Sequence, residues 1–290
     1  MEKPLVSVLM ASYNHARYVE RAVLSVLEQK NVPFELIVLD DGSNDASPEI
    51  LKKLSEEYGF TFIHRENKGV VLTMQELLSL AGGKYFCTFA SDDIMPPDRL
   101  QRQSLYLETH PECPACFGQI IPMDSSGNKA HTFDPRYTSA IPEISFEEFF
   151  LGKKELHGCT EMINTEVFRS LGGYNNESQT EDFQMMLSLL SVYKKLPVLN
   201  INCCFYRIHE NNLSKNKNLI YEASLRVLEN YKTHPLYKKA VATWKSHWFS
   251  ALAYANKKEA LLKIPELYSF SVPFFKRFLK LFIPRFLLKR

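Results

Sequence analysis

Apolar and polar positions follow two rhythms over the first 110 residues. Short apolar runs of strand type stand at Leu5–Ala11, Glu35–Leu39, Thr61–His64 and Tyr85–Ala90. Between them apolar residues recur at helical spacing: at 18, 19, 22, 23, 26 and 27, then at Ile50, Leu51 and Leu54, then through Val70–Ala81. Ser47-Pro48 reads as an N-cap followed by a proline at the first helical position, and Gly82-Gly83 as a helix stop. This alternation predicts βαβ units and a mainly parallel sheet flanked by helices, an α/β fold. A further strand-like run covers Ala115 to Pro122, and the pattern blurs between Phe117 and Glu155. From Asn216 onward the chain reads as wholly helical. The expected division is therefore an α/β domain over 1–215 and a helical C-terminal extension over 216–290.

Composition narrows the classes. With 45% hydrophobic and 23% charged residues the 290-residue chain is globular. A formal net charge of +2 argues against a dedicated nucleic-acid binder, so no nucleic-acid partner is expected. The charge is uneven, however. Six of the 35 basic residues (Lys276, Arg277, Lys280, Arg285, Lys289, Arg290) and none of the 33 acidic ones lie between Leu267 and Arg290. In the same stretch Phe274, Phe275, Phe278, Leu281, Phe282 and Phe286 recur at helical spacing, and Pro273 and Pro284 punctuate it. An aromatic face with a cationic complement predicts a helix lying in a membrane interface. A helix docked on the protein with its charges in water is the alternative.

Six cysteines are too few for a disulfide framework, and Cys113-Pro-Ala-Cys116 has no second Cys/His pair at zinc-ligand spacing, so it reads as two small buried residues. No apolar run approaches the ~20 residues of a spanning helix. The chain opens on a strand without signal-peptide character. The expected location is cytoplasmic, peripheral on the cytoplasmic face of the membrane.

The chemistry lies at the strand ends. The dinucleotide fingerprint GxGxxG and the P-loop are both missing, which excludes the two commonest phosphate cradles. In their place, two runs of strand type end in paired acids, Asp40-Asp41 and Asp92-Asp93. Ligands of open parallel sheets bind at the carboxyl ends of strands. Asp is also ordinary turn chemistry there. Four carboxylates on one edge, though, need a cation or donors to offset them, which points to Mg²⁺ or Mn²⁺ with a phosphate ligand.

Val6-Ser-Val-Leu-Met-Ala-Ser-Tyr-Asn14, Val38-Leu-Asp-Asp-Gly-Ser-Asn-Asp45, Asn67-Lys-Gly69, Ser91-Asp-Asp93, Leu171-Gly-Gly-Tyr174, Glu181-Asp182 and Tyr206-Arg-Ile-His-Glu-Asn-Asn-Leu-Ser214 together resemble a family-two glycosyltransferase of the GT-A fold. The resemblance covers about the first 215 residues. It implies an inverting enzyme that moves a sugar from a nucleotide-diphosphate sugar, UDP-linked, to a hydroxyl of a glycan or lipid-linked acceptor in bacterial surface polysaccharide synthesis. It also implies roles. Ala11, Tyr13, Asp40, Lys68 and Asp92 bind donor, with Asp40 on the uracil ring and Asp92 on the ribose. Asp93, ionised, and His209 hold Mn²⁺ or Mg²⁺, and Asp182 is the general base. Glu181, Arg207 and His157 support acceptor or loops, and the polar run Asn211–Asn218 is a lid. Asp41 and Asp45 shape their loop. Ala90 stands where the family often has a further Asp, which leaves a shortened metal motif. His157-Gly-Cys-Thr160 lines the acceptor pocket or forms a buried turn. A nucleotidyltransferase, or a carbohydrate-binding or scaffolding protein of the same fold, are the alternatives.

Overall fold

The computed structural model describes residues 3–128, 142–175, 180–269 and 272–282. Two compact units emerge. The first comprises Met1–Phe146, Glu155–Asn176 and Glu181–His209, and the second Glu147–Lys154, Glu177–Thr180 and Glu210–Arg290. The helical unit thus starts at Glu210 and also takes in residues 147–154.

The expected alternation forms one half of an eight-stranded mixed sheet of order β3-β2-β1-β4-β7-β5-β8-β6. β1 (Val6–Ser12), β2 (Phe34–Asp41), β3 (Thr61–Arg65) and β4 (Tyr85–Ala90) are all parallel. Their crossovers are α1 (Val19–Leu27), α2 (Ser47–Tyr58) and α3 (Val70–Leu80). α1 buries Val19, Ala22, Val23 and Val26, the i, i+3, i+4, i+7 stripe that packs a helix on a sheet. Ser47 is not the cap of α2: Ala46 is, and the Ser47 hydroxyl instead accepts the His15 N–H at 3.0 Å. Gly83 is demanded by the sheet, since a Cβ there would lie 2.6 Å from the Ser7 nitrogen.

Beyond β4 come α4 (Arg99–Thr109), β5 (Ala115–Asp124), β6 (Glu143–Ser145) and α5 (Phe146–Phe150). α5 belongs to the second unit beyond Phe146, and β7 (Met162–Asn164), α6 (Thr165–Ser170), α7 (Glu181–Tyr193) and the long β8 (Lys195–Ile208) complete the first. β7 runs antiparallel between β4 and β5, and β8 pairs parallel with β5. The half built from β1 to β4 is thus parallel as expected, and the antiparallel pairings all involve β6 or β7. The Cys113–Cys116 pair is less uniform than expected, with Cys116 buried and Cys113 only half-buried; all six cysteines are free thiols.

The second unit carries α8 (Lys217–Glu229), α9 (Tyr237–Ala255), α10 (Lys257–Leu262), α11 (Ile264–Leu267) and α12 (Val272–Phe278). Trp248, Phe249, Leu252, Leu267 and Phe274 form its core, with Phe278 and Leu281 packed against it. The aromatic stripe of the tail is thus split. Phe274 is buried, with its ring 5.0 Å from Phe249, whereas Phe275, Leu279 and Phe282 are 47%, 60% and 73% exposed. Phe286, Arg285, Lys289 and Arg290 lie outside the described residues. Among the described residues no helix is long and apolar enough to cross a membrane.

Candidate active site

Register brings the acidic motifs to one edge. Ser12 at the end of β1 pairs with Asp40 of β2, and Ala11 pairs with Ala90 of β4, so the segments after all three strands leave the sheet together. The chain steps outward from β1 to β2 and β3, then returns to β4 on the other side. That reversal opens the crevice in which such sheets bind ligands. Asn14, at φ 54°, turns the chain after β1; asparagine tolerates that left-handed region better than most residues. Its N–H donates to Ser43 Oγ at 2.7 Å, and its side-chain oxygen accepts from the Asn44 N–H at 2.8 Å.

Asp40 is fully buried. It accepts from the Ser43 N–H (2.9 Å) and hydroxyl (2.6 Å), and meets His64 Nδ1 at 3.0 Å. Asp41 and Asp45 hold loops in shape. Asp41 accepts the backbone N–H groups of Lys68 and Gly69, each at 2.9 Å, and pairs with Arg65. Asp45 accepts from the Ala16 N–H at 2.9 Å. Tyr13, 46% exposed, and the exposed Lys68 flank this edge.

The second acidic pair divides its labour in an unexpected way. Asp93 is turned into the protein, where Oδ1 accepts the Arg207 N–H at 2.7 Å and Oδ2 accepts from Cys204 Sγ at 3.2 Å. Burial first and the neighbouring Asp92 second push its carboxyl well above the usual carboxylate range. His209 meets Asp92 instead, with Nε2 2.7 Å from Asp92 Oδ2. His15 closes the group with its Nε2 3.9 Å from the same oxygen, while its Nδ1 lies 2.8 Å from Ser91 Oγ. The ligand atoms of His15, Asp92 and His209 all lie within 4.8 Å of one another. Two imidazoles and a carboxylate form a donor set that suits a first-row divalent cation. The residues present fit one.

Arg207 sits behind this group. Its Nε donates to the Asp92 carbonyl at 2.6 Å, and its guanidinium lies 4.6 Å from the centre of the Tyr18 ring. Tyr18 in turn packs on His209, with ring centres 5.1 Å apart. Arg207 therefore holds the carboxyl edge of β4 to β8.

Glu181 and Asp182 open α7, and Asp182 Oδ1 accepts the Phe183 N–H at 2.7 Å. Both side chains are partly exposed yet densely surrounded. Burial raises Asp182 above its ordinary value, opposed by the Phe183 N–H and His157. Burial first and the Asp182 charge second push Glu181 up to about 8. The short 3-10 turn Gly158–Thr160 lies directly on Asp182. A Cβ on Gly158 would fall 2.7 Å from Asp182 Cβ and 3.0 Å from Oδ2. Gly158→Ala should therefore depress activity and cost about 1–3 kcal/mol of stability from overpacking, read by an activity assay and a thermal melt. His157 Nδ1 lies 3.1 Å from Cys159 Sγ, and its ring packs edge-on against Tyr206. Burial opposes protonation of His157, but the neighbouring Cys159 outweighs it and raises the imidazole; burial likewise opposes ionisation of Cys159, yet Cys204 first and His157 second hold it well below an ordinary thiol.

The expected residues thus gather in one unit, with one exchange of partners: Asp92, not Asp93, faces His209. His15 stands one residue beyond the Val6–Asn14 motif and was not among the expected site residues. Its position directly after that motif, at the end of β1, was the available signal.

An α/β sheet with acids and imidazoles gathered at the carboxyl edge of its strands has the layout of a ligand-binding α/β fold. Residues 7–172 match glycosyl transferase family 2, and the chain belongs to that family. It is 30% identical over 221 residues, 74% of this chain and 83% of the relative, to the putative teichuronic acid biosynthesis glycosyltransferase TuaG of Bacillus subtilis (strain 168). In fold it is similar to S. aureus TarS 1-349 in complex with UDP-GlcNAc, with TM-score 0.66, 14% identity and coverage of 94% of this chain and 79% of that one. It is also similar to the mannosyltransferase PcManGT from Pyrobaculum calidifontis in complex with GDP-Man and Mn²⁺, with TM-score 0.60, 15% identity and coverage of 100% and 89%. The fold is GT-A.

Proposed function

We propose that the chain transfers a sugar from a UDP-sugar to a hydroxyl of a glycan or lipid-linked acceptor, with inversion, in the assembly of a bacterial surface polysaccharide. One observation carries this reading. The turn bearing Gly158 rests on Asp182, while its next residue, Cys159, has its sulfur within 4.8 Å of the Asp93 carboxylate beside Asp92. The candidate base thus rests on a turn that reaches Asp93, the chain neighbour of Asp92 in the cation set, and this supports a single displacement with both groups in one site. Asp182 takes the proton of the acceptor hydroxyl as its oxygen forms a bond to the anomeric carbon, and the bond from that carbon to the diphosphate breaks. His15, Asp92 and His209 would hold Mn²⁺ or Mg²⁺, which supplies charge neutralisation on the departing diphosphate. Tyr13, with Ala11, Asp40 and Lys68, forms the donor edge where the nucleoside rests. The UDP-GlcNAc complex of TarS and the Mn²⁺ complex of PcManGT, both of like fold, support the donor class and the cation.

The test is a donor screen by thermal shift, a panel of UDP-, GDP- and dTDP-sugars each with Mn²⁺. Stabilisation by UDP-sugars alone supports the reading, and none by any donor overturns it. The pH profile supplies a second check. The rate should rise through a midpoint above the ordinary aspartate value of 3.8, because burial raises Asp182 and only its ionised form accepts the proton. Glu181→Gln should leave that acidic limb in place, because Glu181, pushed up to about 8, already carries its proton there. A limb that moves by a pH unit or more in this variant would show that Glu181 titrates with the base.

The exposed remainder of the tail supports attachment to an anionic membrane on its cytoplasmic face. Phe275, Leu279 and Phe282 face outward, in a stretch whose charged residues are all basic. Cutting the chain at 268 is a poor test, since it removes the core residue Phe274, a loss of the kind that costs about 3–5 kcal/mol. Replacing Phe275, Leu279 and Phe282 by Asp should release the protein from anionic vesicles while leaving donor binding intact. Equal vesicle binding by this variant would return the segment to ordinary packing.

A further inference from the structure

Beside the transfer site, on the inner side of Asp93, lies a cluster that the reaction does not use. Asp93 follows β4, Cys159 sits in the 3-10 turn, and Cys204 is in β8, yet their ligand atoms all lie within 4.8 Å of one another. Cys204 Sγ is 3.2 Å from Asp93 Oδ2, and His157 Nδ1 is 3.1 Å from Cys159 Sγ. The Arg207 N–H occupies Oδ1 of Asp93, so Oδ2 is the oxygen turned to the thiols. Metal–ligand bonds of about 2.3 Å to sulfur and about 2.0–2.2 Å to oxygen or nitrogen place tetrahedral ligands roughly 3.3–3.8 Å apart. Asp93, Cys159 and Cys204 lie near that spacing already, while His157, held to Cys159 but outside the group within 4.8 Å, would have to swing in to complete it. Two sulfurs, one oxygen and one imidazole nitrogen form a much softer set than the two imidazoles and carboxylate of the neighbouring group. Thiolates select zinc over magnesium or manganese.

We propose that Asp93, Cys159 and Cys204, completed by His157, form a second cation site that takes a thiophilic divalent ion, zinc in particular. Binding forms two metal–sulfur bonds, and any proton on either sulfur leaves to solvent; no electron is transferred. The ion would tie the Gly158–Thr160 turn to β8 and to the end of β4. Gly158 rests on Asp182, so zinc fixes the surroundings of that base without contacting the edge at which donor is proposed to bind. It should therefore slow transfer while sparing donor affinity. The site rests on the geometry of Asp93, Cys159 and Cys204, with His157 beside Cys159, and does not depend on the nature of the donor.

Cobalt(II) is the probe, because thiolate ligation gives it a near-ultraviolet charge-transfer absorption that oxygen and imidazole ligands do not. The reduced full-length protein should develop that absorption on titration with Co²⁺ and lose it when Zn²⁺ is added. Cys159→Ser, at a partly exposed position, should lose most of the absorption, as should Cys204→Ser, whereas His209→Ala should keep it. A melting curve of each variant establishes that it is folded. Should Cys204→Ser fail to fold, alkylation of Cys159 by iodoacetamide in the native protein decides, and Zn²⁺ should block it. A cobalt spectrum without thiolate absorption, one unchanged in Cys159→Ser, or alkylation indifferent to Zn²⁺ overturns the site. None of these readouts involves sugar transfer, so failure here and failure of the proposed reaction are separately visible.

Discussion

Asp182→Asn should leave UDP-sugar affinity near that of the native protein and lower the transfer rate by ~10²–10⁴-fold, the usual share of general-base assistance. The amide keeps the shape of the carboxylate and can still accept the Phe183 N–H, so the start of α7 should survive. What it cannot do is take a proton from an attacking hydroxyl. Position makes this the largest single effect: Asp182 is partly open to solvent, and Gly158 closes directly on it. Steady-state rates with calorimetric donor binding separate the two quantities. Equal loss of binding and rate would move Asp182 into the nucleotide site.

The second large effect distinguishes two adjacent acids. Asp92→Asn and His209→Ala should each remove the Mn²⁺-dependent part of UDP affinity, because both groups belong to the candidate cation set. Asp93→Asn should keep that dependence, since its side chain serves the Arg207 N–H and the Cys204 thiol instead. Its penalty should appear in the melting temperature. Hydrogen bonds to charged groups contribute about 1.5–3 kcal/mol, whereas burial of this carboxylate works against it, so the net loss should fall below that range. UDP titrations with Mn²⁺ and with EDTA read the first effect, and thermal melts read the second. Loss of Mn²⁺ dependence in Asp93→Asn alone would restore it as the metal ligand.

That exchange shows where one-dimensional reading stops. The strand ends and their acids were legible because β1 to β4 are short apolar runs whose boundaries shift by only one or two residues in the structure. Asp92 and Asp93 lie in the turn after β4, closed by the Asp93 N–H on the Ala90 carbonyl, where no strand period fixes the direction of either side chain. Which of the two turned inward depended on β8, whose Cys204 and Arg207 claim Asp93. β8 itself was hidden. Pro197, Asn200 and Asn202 interrupt its apolar run, and its pairing partner β5 is some 80 residues away in the chain. The thiol cluster was illegible for the same reason, since Cys159 and Cys204 meet only through β8. The tail was open to two readings for a simpler reason. A periodic aromatic stripe is the same signal for a membrane face and for a helix packed on Phe249, and the structure divides it between the two sides.

The central claim is that this chain performs a cation-assisted inverting displacement on a UDP-sugar. The most direct measurement follows donor hydrolysis by proton NMR, using whichever α-linked UDP-sugar stabilises the protein best, with Mn²⁺ and then with EDTA. The account predicts UDP release that depends on Mn²⁺, with the β anomer of the free sugar appearing before mutarotation. Release of the α anomer, or a rate unchanged by EDTA, would contradict it.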